Sequence, residues 1–231
     1  EPRQILLHLS KEDLDVLFER ITAGENPEEV SRQIGRWAAL AAAARADGRV
    51  KELAQDLLTH YLNRSATLRG KAMVVCMERE NCVRLYQALT DLPGCPEVKI
   101  VMTGNLGADP PEWSQNGYLT TKAQRDAIKQ RMIEPDDPLK MVIVCDMWLT
   151  GTDIPCLHTL YIDKPMEGHN MIQAISRVNR VFRDKPHGLV VDYIGIGDAL
   201  REATSHYTQG GEEGEVAAGL DEKGRPLFFQ A

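Results

Sequence analysis

Met141-Val-Ile-Val-Cys145-Asp146, then Trp148-Leu-Thr150-Gly151-Thr-Asp153-Ile-Pro155, then Thr159-Leu-Tyr-Ile162-Asp163 decide the fold of this chain. The first and last of these are short apolar runs that end in Asp. Continuous apolar runs bounded by Gly, Pro and Asp suit strands buried on both faces of a parallel sheet. Further on, Gly188-Leu-Val-Val-Asp192 repeats the form. Between them, Asn170 to Phe182 has helical periodicity, with Met171, Ile175, Val178 and Phe182 on one side. Gln173, Arg177 and Arg180 fall on the other side at about 100° per residue. The order is therefore strand, loop, strand, helix, strand.

The polar stripe places one amide and two guanidiniums together. Like charges on adjacent turns repel, and an anion between them removes that cost. Guanidiniums take phosphate in a planar, forked geometry. The same stripe also suits a plain solvated helix face. The preceding loop favours a site: Gly151 permits a tight turn, Asp153 projects a carboxylate beside it, and Pro155 ends pairing. Ligands of open parallel sheets sit at such strand ends.

Working outward, Ala72-Met-Val-Val-Cys-Met77 and Val98 to Thr103 read as two more strands. An amphipathic helix, Glu80 to Thr90, joins them with Val83, Tyr86 and Leu89 inward. Thr103-Gly104-Asn105 offers a hydroxyl and open backbone N–H groups that suit a phosphate, or form a simple turn. Leu106 to Leu119 reads as a polar loop. Thr120 or Thr121 caps a helix to about Ile133, with Ala123, Ala127 and Ile128 inward and Lys122, Arg125 and Lys129 outward. Five strands alternating with helices predict a three-layer α/β sandwich with a mostly parallel sheet.

Residues 1–64 read as a helical lead-in without chemistry. Ser10 suits an N-cap, Asn26-Pro27 a second helix start, and Asp47-Gly48 an interruption before Leu53, Leu57 and Tyr61 resume the apolar stripe. Residues 65–205 hold the α/β unit, with a short helix near Asp198 to His206. Residues 206–231, with Gln209-Gly-Gly-Glu-Glu-Gly-Glu, read as a flexible acidic tail or linker in which Leu227-Phe-Phe229 is apolar.

The net charge of −7 argues against bulk, non-specific nucleic-acid binding, though not against a narrow polar track. The five cysteines have no zinc spacing, and Cys76 and Cys145 are expected as buried small hydrophobes. They fit a reducing, cytoplasmic setting, and no apolar run is long enough to cross a bilayer. No Gly-x-x-x-x-Gly-Lys-Ser/Thr loop and no Walker B segment occur, so the chain is expected to be part of a longer polypeptide that carries them.

The pair Asp146-Met-Trp-Leu-Thr150-Gly151-Thr-Asp153-Ile-Pro155 and Gln173-Ala-Ile-Ser-Arg177-Val-Asn-Arg180 resembles motifs V and VI of superfamily 2 helicases and translocases. Ser176 and Asn179 stand where the broad family has glycines. With Val181-Phe-Arg-Asp-Lys185 following, the variant looks like the restriction (R) subunit of type I restriction enzymes. The resemblance covers roughly residues 70–205. It implies the second RecA-like (P-loop NTPase type) lobe of a motor that hydrolyses ATP, with Mg²⁺, to move and cleave double-stranded DNA.

On that resemblance Arg180 is the arginine finger and Arg177 a supporting phosphate contact. Gln173 orients Arg177 or the phosphates, Asp153 beside Gly151 takes the ribose hydroxyl, and Thr103 and Thr150 face the DNA backbone. The first lobe would hold most of the ATP and the metal. Modification and specificity subunits would be the partners, with no membrane involved. Two other readings compete: the second lobe of a repair or RNA helicase, and a non-catalytic nucleotide- or protein-binding module. The last would not need Arg177 and Arg180 on one face.

Overall fold

Every side chain of Lys71–Cys76 is buried, and this strand, β1, lies at the centre of the sheet. A computed structural model describes residues 44–194, apart from 106, 108, 146, 150, 167, 179–181 and 183–187, with residues 168–171 described by their backbone alone. The elements are α1 (Asp47–Thr67), β1, α2 (Arg79–Thr90), β2 (Glu97–Val101), α3 (Pro111–Gln115), α4 (Lys122–Ile133), β3 (Leu139–Val144), β4 (Leu157–Asp163), α5 (Gly168–Val178) and β5 (Leu189–Asp192). The five strands form one sheet in the order β2-β3-β1-β4-β5. Every pairing is parallel. All C-terminal strand ends therefore meet along one edge, and the loops that follow them are neighbours.

The period-two alternation of a strand splits the core into two layers. Ala72, Val74, Cys76, Met141, Ile143 and Tyr161 pack with Leu53 and Leu57 of α1 and Leu85 and Leu89 of α2. Met73, Val75, Val142, Val144, Leu160 and Ile162 pack with Met132 of α4 and Ala174, Ile175 and Val178 of α5. This is the expected sandwich, with helices on both faces.

Helix α1 is part of it. Besides its leucines, His60 Nδ1 lies 2.8 Å from Tyr161 Oη, and Tyr193 Oη donates to Asp56 Oδ2 at 2.7 Å. Arg49 bonds Asp163 at the end of β4, Nη1 reaching Oδ2 at 3.2 Å and Nη2 reaching Oδ1 more closely. Both side chains of that pair are only 2% exposed. The boundary expected between residues 64 and 65 falls inside this helix.

Several local expectations are corrected. The interruption expected near Asp47-Gly48 falls just before it: Ala44 is helical, Arg45 and Ala46 break the helix, and α1 opens at Asp47, which brings an acid to the first turn, where the helix dipole favours it. Residues 106–119 are not wholly loop, because Pro111 starts the short helix α3, with φ already set for N1. Thr121 is the cap of α4, with a reciprocal capping box to Gln124. Of that helix, however, only Met132 is buried, and Ala123 and Ala127 are exposed. It leans on the sheet by its last turn, so alanines of low apolar area remain outside. Cys76 is buried, but Cys145 lies one residue past β3 and is half-buried. Tyr86 is half-buried. The helix starts at Ser10 and Asn26, the helix at 198–206 and the acidic tail lie outside the described residues.

Candidate nucleotide and nucleic-acid interface

The loop after β3 reaches the C-terminal edge through two left-handed residues. Gly151 has φ +70° and Trp148 φ +69°. Gly151 has open space around its missing Cβ, so backbone conformation, not crowding, calls for glycine. A tryptophan in that region is strained, and such outliers persist where surrounding contacts hold them. Leu149, Thr152 and Ile154 are buried while Gly151 and Asp153 are exposed. The apolar side chains pin the loop and turn the carboxylate of Asp153 outward.

Arg177 on α5 closes this loop. Its Nε donates to Leu149 O at 3.4 Å and its Nη1 to Thr152 O at 3.2 Å. The two carbonyls flank Gly151, so the structure brings together Arg177, Gly151 and the loop that carries Asp153. Gln173, one turn earlier on α5, is half-buried. Ser176 is exposed and spends its hydroxyl inside the helix, donating to Gln173 O at 2.7 Å. Serine in a motif glycine's place thus leaves the helix regular. Arg180 and Thr150 lie outside the described residues.

At the far end of the helix, Gly188 sits against α5. A Cβ there would lie 2.2 Å from Val178 O. The chain leaving α5 and the chain entering β5 touch backbone to backbone.

Thr103 is exposed just past β2, next in the sheet to β3 and so beside the same edge. The turn after it is less open than expected. Asn105 N–H donates to Asp109 Oδ2, and Thr103 O accepts from Arg79 Nη2 at 2.7 Å. Arg79, the first residue of α2, also bonds Asp109 Oδ2 and lies 5.6 Å from the centre of the Trp113 ring. Bonding to Arg79 holds the Asp109 carboxyl below the usual carboxylate range. Sequence reading missed Arg79 and Asp109. A basic residue opening the helix after a strand was the available signal, but their meeting across a loop was not visible. It also missed Arg49 and Asp163, where burial pushes the carboxyl up against the pull of Arg49.

Among the described residues, no group of three His, Cys, Asp or Glu side chains is placed to hold a metal ion. Nor is any helix long and apolar enough to cross a membrane.

Residues 112–195 match the family model of type I restriction enzyme subunit R domain 3. The chain is 42% identical, over its whole length, to 22% of the type I restriction enzyme HindI endonuclease subunit of Haemophilus influenzae. It is 40% identical, over 90% of its length, to 20% of a Methanocaldococcus jannaschii protein named for the endonuclease subunit of the type I enzyme MjaIXP. The chain belongs to the R-subunit family of type I restriction enzymes. It spans about a fifth of the length of these relatives.

Two solved structures share the fold. An HsdR-subunit fragment of a type I restriction enzyme from Vibrio vulnificus YJ016 matches 71% of this chain and 30% of that one, with TM-score 0.52 and 19% identity. The C-terminal part of the Fun30 ATPase domain matches 96% of this chain and 92% of that one, with TM-score 0.50 and 13% identity. The five-stranded α/β unit of this R-subunit chain is a RecA-like lobe.

Proposed function

We propose that this chain is the second motor lobe of an R subunit whose whole length is an ATP-dependent type I site-specific deoxyribonuclease. The observation that carries the reading is the contact of Arg177 with Leu149 O and Thr152 O, which joins the helix of Gln173 to the loop of Gly151 and Asp153. A nucleotide held by a first lobe at this edge would meet a carboxylate, an amide and guanidinium nitrogen together.

In this mechanism Asp153 accepts the ribose hydroxyl, and Gly151 lets the backbone approach it. Gln173 orients the phosphates. Arg177 moves a guanidinium nitrogen from the loop carbonyls to phosphate oxygen, and Arg180 follows as the finger on the transferring γ-phosphate. Charge spread over the phosphoryl oxygens is what such donors stabilise. Thr103 and Thr150 bond the backbone of duplex DNA, so that lobe closure and reopening advance the protein along it. Mg²⁺ would arrive with ATP on the first lobe. Modification and specificity subunits complete the assembly, in the cytoplasm. The relatives' names favour this system over a repair or RNA helicase and over a non-catalytic module.

The test is Arg180→Ala and Arg177→Ala in the whole subunit. DNA-stimulated ATP turnover should fall by about 10³-fold or more for Arg180→Ala, with DNA binding retained. Turnover like the wild type in Arg180→Ala removes the finger, and with it the motor assignment of this edge.

A further inference from the structure

Arg49, in the first turn of α1, grips Asp163 where the chain changes faces of the sheet. Period-two alternation puts Asp163 on the side of Tyr161, which packs with α1, and Ile162 on the other. The chain then crosses to that other side: Met166 packs with Ala174 and Ile175, and α5 begins at Gly168. Arg49 Nη1 donates to Asp163 Oδ2 at 3.2 Å and Nη2 to Oδ1 more closely, while Nη1 also donates to Ala44 O at 3.4 Å. This bidentate pair ties a helix on one face to the entry of a helix on the opposite face.

Stability does not call for this pair. Both side chains are almost fully buried, and a buried ion pair of this kind can be exchanged for apolar groups at little or no loss. Arg49 Nε is buried without a hydrogen-bond partner, which is a further cost. What a forked guanidinium supplies instead is position, because two parallel bonds fix the plane and direction of a carboxylate. The position fixed is the start of the connection that carries α5, and Arg177 on α5 is the side chain that holds Leu149 O and Thr152 O.

We propose that Arg49 is a positioning residue for ATP turnover. Through Asp163 it sets where α5 starts, and so where Arg177 stands when phosphate takes the place of the loop carbonyls. This rests on the motor reading and extends it to a residue on the opposite face of the sheet. Arg49 touches no nucleotide in this mechanism, and its loss misplaces a donor rather than removing one. A donor displaced by about an ångström loses much of its hold on the transition state, while ground-state binding, made chiefly on the first lobe, is kept.

The experiment is steady-state ATP hydrolysis by the whole subunit with duplex DNA, giving kcat and KM for ATP, each variant read well below its own melting temperature. Arg49→Met with Asp163→Asn keeps the volume and leaves no buried charge, so it should melt near the wild-type temperature. Its kcat should fall about tenfold to a hundredfold, with KM for ATP changed by less than about twofold. Arg49→Lys keeps the charge but not the fork, and should hold kcat between the two at an unchanged KM. In an Arg177→Ala background the paired substitution should lower kcat by less than about threefold more, because groups that act as a unit are not additive. A wild-type kcat in the paired variant, a change in KM alone, or an equal fall in both backgrounds overturns the positioning role; the last is what a purely structural pair would give. If the paired variant is unstable, Arg49→Lys decides, by its own kcat and its own cycle with Arg177→Ala. Unchanged turnover in Arg177→Ala fails the motor reading of this edge as well, whereas a fall in Arg177→Ala with Arg49 variants like the wild type fails the positioning role alone.

Discussion

Two glycines bracket the candidate site for different reasons, and one of them could be read from the sequence. Gly151 follows a strand and precedes Asp153 and Pro155, a setting that calls for a turn. Its φ of +70° with empty space about it agrees. Gly188 looked only like the start of a strand. Its real constraint is Val178 O, 2.2 Å from where a Cβ would be, a contact between segments that no local pattern encodes. Gly188→Ala should therefore force backbone apart and cost about 1–3 kcal/mol, the range for overpacking a filled site. Gly151→Ala carries only the left-handed penalty of about 1–2 kcal/mol. Denaturant midpoints of the two variants check this; an unchanged midpoint for Gly188→Ala would show that α5 and β5 are not locked together. The guanidinium of Arg177 was legible as part of a stripe. That it holds Leu149 O and Thr152 O was not, because carbonyl positions follow from the two left-handed residues of the loop.

At the scale of elements, the strands were legible, and so was the helical stripe of Leu53, Leu57 and Tyr61 in α1; where that helix packs was not. Each strand is a short apolar run, and burial on both faces leaves little else such a run can be. The α1 sequence also shows an apolar stripe, but nothing in it says which surface receives the stripe. The structure gives the receiver: Leu53 and Leu57 enter the core, and Arg49 pairs with Asp163 under nearly complete burial. The cap at Thr121 was readable because a capping box is a local pattern, while the lean of α4 was not. The buried pair makes a prediction about pH. Asp163's carboxyl has its pKa raised above the ordinary 3.8 by burial, with Arg49 pulling the other way. A raised carboxyl binds its proton more tightly folded than unfolded, so stability falls as pH rises through the raised value. Arg49→Met removes the opposing pull and leaves a buried carboxylate, costing about 3–5 kcal/mol at neutral pH. Part of that loss should return on acidification toward pH 5, as Asp163 takes up a proton, and Arg49→Met with Asp163→Asn should be stable without the pH dependence. Unfolding free energies measured between pH 5 and pH 8 test it; a flat profile for Arg49→Met would mean that water reaches the carboxylate.

For the whole molecule, the parallel order β2-β3-β1-β4-β5 sets all strand ends on one edge. That edge carries Thr103, Arg79, Gly151, Asp153 and the start of α5, and it supplies hydrogen-bond donors and the exposed carboxylate of Asp153. Phosphoryl transfer also requires a cradle for the β- and γ-phosphates, a metal and a placed water. The sequence has no phosphate loop, and the described residues hold no three-ligand acidic or imidazole group. An edge of this composition can complete a nucleotide site but has little with which to hold a nucleotide first. The purified chain alone should therefore hydrolyse ATP no faster than its own Arg177→Ala variant, and weak nucleotide binding should show no Mg²⁺ dependence. In the whole subunit the same substitution should cut DNA-stimulated turnover. Steady-state phosphate release by the two preparations, side by side, measures both. Arginine-dependent hydrolysis by the chain alone would mean that this edge holds ATP by itself, and the two-lobe mechanism would then have to be abandoned for a self-contained one.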